Sequence, residues 1–334
     1  MQQTRLAHTL GIELPLFSAP MGGGTAGPAL VAAVSNAGGC GLLGLGGVPA
    51  TAVPELIRAT RAATEEPFGA GLLLPLLDPA AFDACLDGEL ACLVLFWGDV
   101  APHVARAKER GLRVFAQVGS VDEARVAARA GVDAVIAQGF EAGGHVRGTV
   151  RLASLLPAVV DAIAPLPVLA AGGIASGADV RAALAAGAEG AVLGTRFLAS
   201  AEAAASDAYK RRVVAARAED TVHVSLFDVG WPDAPHRVIR NRAVAEWEAA
   251  GRPAPGARPG EGSRIGTVRL GATRVDVPRY SLMSPLASFE GDHELAALYA
   301  GESCARIEAI EPAATLVERI VREAEPRGGG HGAR

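Results

Sequence analysis

Residues 123–139 read Glu-Ala-Arg-Val-Ala-Ala-Arg-Ala-Gly-Val-Asp-Ala-Val-Ile-Ala-Gln-Gly, and residues 179–195 read Asp-Val-Arg-Ala-Ala-Leu-Ala-Ala-Gly-Ala-Glu-Gly-Ala-Val-Leu-Gly-Thr. Each is a helical stretch, an Ala-Gly turn, an acidic residue, a short apolar run and a glycine near the end of that run. A glycine just past a helix suits a left-handed C-terminal cap. A short apolar run after it suits a strand buried on both faces. The duplicated stretch is therefore a helix–strand unit of a parallel α/β fold.

Working outward, apolar runs of strand length fall at Leu16–Ala19, Gly41–Leu45, Gly69–Leu74, Cys92–Phe96, Arg113–Gln117, Ala134–Ala137, Pro167–Ala170 and Gly190–Leu193. Helical stretches lie between them at Ala26–Ala37, Val53–Ala63, Val100–Arg110, Val121–Ala130, Ser154–Ile163 and Gly177–Ala186. Eight strands in repeating βα units favour a (β/α)8 TIM barrel over an open doubly wound sheet. After Phe197 the pattern changes. Ala201–Ala218 and Asn241–Ala250 read as helices, Gly251–Gly262 as a Pro/Gly/Arg-rich loop, and Leu295–Ile320 as helix broken near Pro312. The expected organisation is a barrel over 1–199, a mostly helical cap over 200–290, C-terminal helices over 291–325 packing back on the barrel, and a Gly-rich disordered tail over 326–334.

Half of the 334 residues are hydrophobic and 20% are charged, with a formal net charge of −5. The arginines are scattered, so no nucleic-acid face is expected. No apolar run reaches the roughly 18 residues of a membrane span. Four separated cysteines (Cys40, Cys85, Cys92 and Cys304) have neither disulfide nor zinc spacing, and no metal site is expected. The N-terminus lacks a signal-peptide pattern, and the expected location is cytoplasmic. Aromatic residues are only 4% of the chain, which predicts an aliphatic substrate pocket, with Phe140, Trp97, Trp231 and Tyr280 as either lining or core.

Barrel enzymes place their sites at the C-terminal ends of the strands. Here those ends are rich in glycine: Ala19-Pro20-Met21-Gly22, Gly44-Leu45-Gly46-Gly47, Ala171-Gly172-Gly173-Ile174 and Gly194-Thr195-Arg196. Glycine loops on the last two strands form the usual phosphate cradle of this fold, and the Thr195 hydroxyl can add a donor. The loop after the sixth strand, Gln138-Gly-Phe-Glu-Ala-Gly-Gly-His145, opens at the same mouth. His145 is its acid–base candidate. Glu141 either orients His145 or accepts backbone N–H groups, the second being favoured. Arg147 either faces an anionic substrate or is solvated. Gln117 ends the fifth strand, where its amide reaches either a ligand or neighbouring backbone. A Ser nucleophile elbow, a Walker loop and a Rossmann fingerprint are all missing, and Cys40 lies at the wrong barrel end for catalysis.

The runs Ala19-Pro20-Met21-Gly22, Gln138 to His145, Ala170-Ala171-Gly172-Gly173-Ile174, Gly194-Thr195-Arg196-Phe197-Leu198 and Tyr299-Ala300-Gly301 resemble those of the nitronate monooxygenase (2-nitropropane dioxygenase) family. The resemblance spans roughly residues 10–310. It implies non-covalent FMN in a TIM barrel. Ala19, Pro20 and Met21, followed by Gly22, would line the flavin ring. Gln138 and Gly143, with Gly144 beside them, would meet the ring or ribityl chain. Gly172, Gly173 and the run Val192-Leu193-Gly194-Thr195 would hold the phosphate, and His145 corresponds to the active-site histidine. The chain departs from the family pattern at Gly71, where an asparagine is frequent, and at Glu302, where glutamine is common. The implied activity is oxidation of alkyl nitronates by O2 to a carbonyl compound plus nitrite. The alternatives are an FMN-dependent NAD(P)H reductase of quinone or enoyl-thioester type, a tailoring oxygenase on a larger nitrogenous substrate, and a non-catalytic flavin-binding barrel. The expected partners are a small-molecule substrate and O2, with no nucleic acid and no membrane; a homodimer is compatible with the class.

Overall fold

A computed structural model describes residues 1–271 and 273–325. Nine strands precede residue 194: β1 (Leu16–Ser18), β2 (Gly41–Gly44), β3 (Phe68–Leu73), β4 (Cys92–Phe96), β5 (Arg113–Val118), β6 (Ala134–Gln138), β7 (Gly144–His145), β8 (Val168–Ala171) and β9 (Gly190–Leu193). All but β7 form one parallel sheet in the order β1-β9-β8-β6-β5-β4-β3-β2. A parallel bridge between Phe17 and Cys40 joins its two edges, with Cys40 N donating to Leu16 O at 2.8 Å and Ser18 N to Cys40 O at 3.1 Å. The sheet thus closes into the expected eight-stranded barrel.

Alternation along each strand sorts side chains inward and outward. Phe17, Leu42, Cys92, Val94, Phe115, Ile136, Leu169 and Val192 pack together inside the barrel, and Leu6, Ala7 and Leu10 of the N-terminal helix Arg5–Leu10 join them. Their sequence neighbours, such as Leu43, Leu93, Val114, Val135, Ala170 and Leu193, pack against the surrounding helices. The duplicated units fold as their sequences indicate. Ser120 and Ser176 cap helices Val121–Ala130 and Gly177–Ala185. Gly131 and Gly187 take positive φ just beyond them. The acidic residues then secure the turn into the strand: Asp133 accepts Val114 N at 2.8 Å, and Glu189 accepts Leu6 N at 2.7 Å. The helix Pro79–Leu86, between β3 and β4, was not expected; it is short, and Asp78 and Pro79 begin it where the sequence resembles a loop.

Beyond the barrel, helices Asp207–Ala215 and Arg242–Ala249 match the two expected stretches, the first shortened. Strands accompany them: β10 (Thr221–Val224), β11 (His236–Ile239), β12 (Arg264–Leu270), β13 (Thr273–Pro278) and β14 (Glu290–Gly291). The segment is therefore mixed rather than mostly helical. β10 and β11 are four residues each, and β11 is completed by β7 from the barrel loop, a partner no local pattern reveals; β12 and β13 are longer but rich in charged residues. From Leu295 to Pro312 the chain is extended with a 3-10 turn at Glu302–Arg306, and the helix begins only after Pro312, at Ala313–Ala324. Leu316, Val317 and Ile320 of that helix join the barrel's outer core. Residues 326–334, expected as a disordered tail, lie outside the described residues. Among the described residues no helix is long and apolar enough to cross a membrane.

Candidate functional site

The loop after β6 turns at Gly139–Gly143 and adds Gly144–His145 as β7 to the edge of β11, so that His145 lies opposite His236. Aromatic rings surround its imidazole. Trp231 stacks on it at 4.3 Å between centroids and 29° between planes, while Trp97, Tyr299 and His236 approach at 6.3, 5.5 and 5.4 Å. Trp97, directly after β4, has φ 70°, a conformation rarely held outside functional or strained turns. His145 Nε2 is fully buried without a protein partner. Burial, and secondarily the neighbouring His236, push its pKa down to about 3, so the imidazole is neutral at physiological pH. Gln138, at the end of β6, donates Nε2–H to His145 O at 3.0 Å, and its Oε1 is likewise buried without a partner.

The residues around this loop are committed to holding it. His236 is fully buried; its Nδ1 lies 2.8 Å from Ala234 O and its Nε2 accepts Phe227 N–H at 3.2 Å. Glu141 accepts Leu152 N–H with both carboxylate oxygens, the loop-shaping role favoured from sequence. Arg147, partly exposed, pairs with Glu123 at 2.5 Å and lies 5.5 Å over the Trp97 ring, so it braces the loop. Buried Arg237 donates to Phe140 O and stacks on the Phe140 ring at 4.7 Å. Glu302 meets Arg151 at 2.8 Å and Arg237 at 3.8 Å, and its N–H donates to Glu141 O at 3.0 Å. The carboxylate at this position is thus neutralised by two arginines that the fold supplies.

On the other side of the mouth, Gly172 and Gly173 take φ 101° and 73° after β8. Among the described residues, the N–H groups of Gly173, Ile174, Gly194 and Thr195 donate to no protein acceptor. Thr195 Oγ1 accepts Gly301 N–H at 2.9 Å, which leaves its own proton free to donate elsewhere. This is a set of five donors on two neighbouring strand ends.

The remaining expected residues distribute as follows. Ala19, Pro20, Met21 and Gly22 leave β1 and lie across its neighbours. A Cβ on Gly194 would come within 3.5 Å of Ala19 Cβ, and one on Gly71 within 2.5 Å of the Pro20 ring. The space a side chain would need at Gly71 is therefore occupied by Pro20. A Cβ on Gly22 would lie 3.0 Å from Gly46 O, and one on Gly143 would collide with the backbone at Ala300–Gly301, so both glycines permit close chain approach. Gly144 takes φ 75°. Gln117 is half-buried late in β5. Val192 faces the barrel interior, whereas Leu193 faces the helices and offers the mouth only backbone. Tyr280 is fully buried between Arg258 and Arg279, and Phe140 packs on His223. The expectation of an aliphatic pocket is corrected: low aromatic content is a chain average, and two of the three tryptophans converge on His145. Sequence reasoning missed His236 and Arg237 and gave Tyr299, though part of a quoted motif, no role at the site; they reach the mouth only through the β7–β11 pair and the C-terminal segment.

A closed parallel barrel with these glycine-rich strand ends and the His145 imidazole at its mouth defines a TIM-barrel enzyme. The model of the nitronate monooxygenase family matches residues 3–91 and 86–323, and the chain belongs to that family of flavin-dependent oxidoreductases. It is 36% identical over 264 residues to a nitronate monooxygenase of Paraburkholderia phytofirmans, covering 65% of this chain and 72% of that one. It is 37% identical over 255 residues to a Mycobacterium tuberculosis dehydrogenase of a hydroxy-methyl-oxo-octahydroindene-carboxyl-CoA, covering 75% of this chain and 70% of that one. Among solved structures, FabK of Thermotoga maritima superposes with a TM-score of 0.81 at 32% identity over 96% of both chains. The nitroalkane oxidase of Streptomyces ansochromogenes gives 0.73 at 28% identity over 95% and 97%.

Proposed function

We propose that this protein is an FMN-dependent monooxygenase that converts alkyl nitronates and O2 to a carbonyl compound and nitrite. The observation that carries this reading is the pair of buried, unpartnered polar atoms, Gln138 Oε1 and His145 Nε2, at the same mouth as five free donors on β8 and β9. The residues fit a phosphorylated flavin. The N–H groups of Gly173, Ile174, Gly194 and Thr195 and the Thr195 hydroxyl suit a phosphate, because aligned backbone donors favour an anion without a counter-cation. Gln138 and the backbone of Gly143 and Gly144 suit the ring's polar edge, and Ala19, Pro20 and Met21 an apolar wall. FMN, when bound, supplies the electron transfer between substrate and O2.

The chain's own part is positional. Neutral His145 offers one ring nitrogen as a hydrogen-bond partner for the substrate's nitro oxygens. Trp231 covers one of its faces and Trp97 and Tyr299 its flanks, excluding water from that nitrogen. No carboxylate contacts the ring, so an imidazolium there gains little. This site therefore suits a substrate that arrives already ionised as the nitronate.

A second reading, oxidoreduction of a thioester with a nicotinamide reductant, is favoured by the likeness to the CoA-ester dehydrogenase and to FabK. Anaerobic mixing separates the two. The first reading expects the bound flavin to bleach on adding propyl 1-nitronate and to stay oxidised with NADH or NADPH; the reverse pattern supports the second. A purified protein that takes up no FMN refutes both.

A further inference from the structure

The two donor loops after β8 and β9 are buttressed by a segment more than a hundred residues away. Gly301 donates to Thr195 Oγ1, Glu302 N to Glu141 O, and Arg306, at the end of the same 3-10 turn, reaches the β8 loop. The Arg306 guanidinium donates Nη2–H to Gly173 O and Nη1–H to Asp179 Oδ1, the latter at 2.6 Å. Asp179 Oδ2 takes Ala175 N–H at 3.0 Å, and Ser176 N–H and Oγ–H at 2.9 and 2.8 Å. Residues 173–176 are thus held from outside at Gly173, Ala175 and Ser176.

A trans peptide points its C=O and the next N–H in opposite directions. With Gly173 O drawn out to Arg306, the Ile174 N–H points away from Arg306, and it is one of the donors without a protein acceptor. Both glycines of this loop have positive φ, so the chain itself restrains that peptide weakly. Among the described residues, Arg306 is the one cationic side chain that hydrogen-bonds to either donor loop. Its charge, though shared with Asp179, also lies on the side of the loop where it polarises the Gly173–Ile174 peptide toward an anion.

We propose that Arg306 is the positioning residue of the phosphate cradle: by holding Gly173 O it fixes the Gly173–Ile174 peptide so that the β8 loop presents N–H groups to the phosphate of the flavin. This rests on the FMN reading above and deepens it. The test compares FMN with riboflavin, which lacks the phosphate. Apo protein is titrated with each by flavin fluorescence, using wild type, Arg306→Ala and Arg306→Lys. Arg306 is about half-exposed, and Arg306→Gln provides a second charge-removing variant should the alanine protein not fold. Expected is about a tenfold rise in the Kd for FMN in Arg306→Ala or Arg306→Gln, a change within about threefold in Arg306→Lys, and an unchanged Kd for riboflavin throughout. Equal weakening of both flavins, or none of either, overturns the proposal while leaving FMN binding intact. A wild type that binds no FMN overturns the cofactor reading and this inference with it.

Discussion

His236 makes the folded state acid-sensitive in a way that can be isolated. Its ring is fully buried and uses both nitrogens, Nδ1 toward Ala234 O and Nε2 as acceptor for Phe227 N–H. Protonation must place a second N–H against the Phe227 donor and leave a cation in an apolar setting. Burial, partly offset by the Ala234 carbonyl, lowers its pKa from 6.5 to about 4. Because the folded value is the lower one, the unfolded chain binds the extra proton between pH 6.5 and 4. Stability is then full above 6.5 and declines by about 1.4 kcal/mol per pH unit through that window, to a total of about 3 kcal/mol. His236→Gln keeps an acceptor for Phe227 and removes the titration. Urea unfolding of both proteins at pH 7.5 and pH 5 should show the stability gap between them shrinking by about 2 kcal/mol at the lower pH. In NMR, the wild-type His236 Cε1–H should titrate with a midpoint near 4. A gap equal at the two pH values, or a midpoint near 6.5, would refute the reasoning.

Three further outcomes are expected. Gly143→Ala drives a methyl group into the backbone at Ala300–Gly301; it should cost about 1–3 kcal/mol in urea unfolding and abolish the visible flavin spectrum, and a variant with normal stability and colour contradicts the close approach. Glu302→Gln installs the residue common in the family, yet here it strips buried Arg237 of its nearest anion; a loss of about 1 kcal/mol, or a Tm lowered by a few degrees, is expected, and an unchanged Tm counts against the pairing. Trp231→Ala uncovers the imidazole of His145, so its pKa should rise from about 3 toward 6.5; under the proposed nitronate activity the acidic limb of kcat/KM moves upward in pH and bulkier nitronates are favoured, and a profile and chain-length preference equal to wild type would show that Trp231 only packs.

The barrel was readable because each of its signals is local. A run such as Ala134–Gln138 needs only its own apolar residues, and the turns before β6 and β9 are marked by Gly131 and Gly187, whose positive φ ends each preceding helix. The helix Pro79–Leu86 escaped because eight residues opening on Asp-Pro carry too little periodicity to separate from a loop. The strands β10 to β14 escaped for another reason. A strand is stabilised by its partner: His236–Ile239 pairs with Thr221–Val224 and also with the Gly144–His145 edge some ninety positions earlier, while Arg264–Leu270 and Thr273–Pro278 pair with each other but carry too many charged residues to read as an apolar run.

The same division runs through the site. The sequence by itself determined which backbone could offer free donors and which imidazole stood at the mouth, since glycines at strand ends and a histidine framed by glycines are properties of short segments. Only the tertiary structure decided what those groups experience. It stacked Trp231 on His145 and set His236 opposite it, which makes the imidazole neutral. It filled the space beside Gly71 with Pro20, closed the charge of Glu302 with Arg151 and Arg237, and brought Arg306 to Gly173. Burial and electrostatic environment depend on atoms from distant parts of the chain meeting in one place, and no local pattern encodes that meeting.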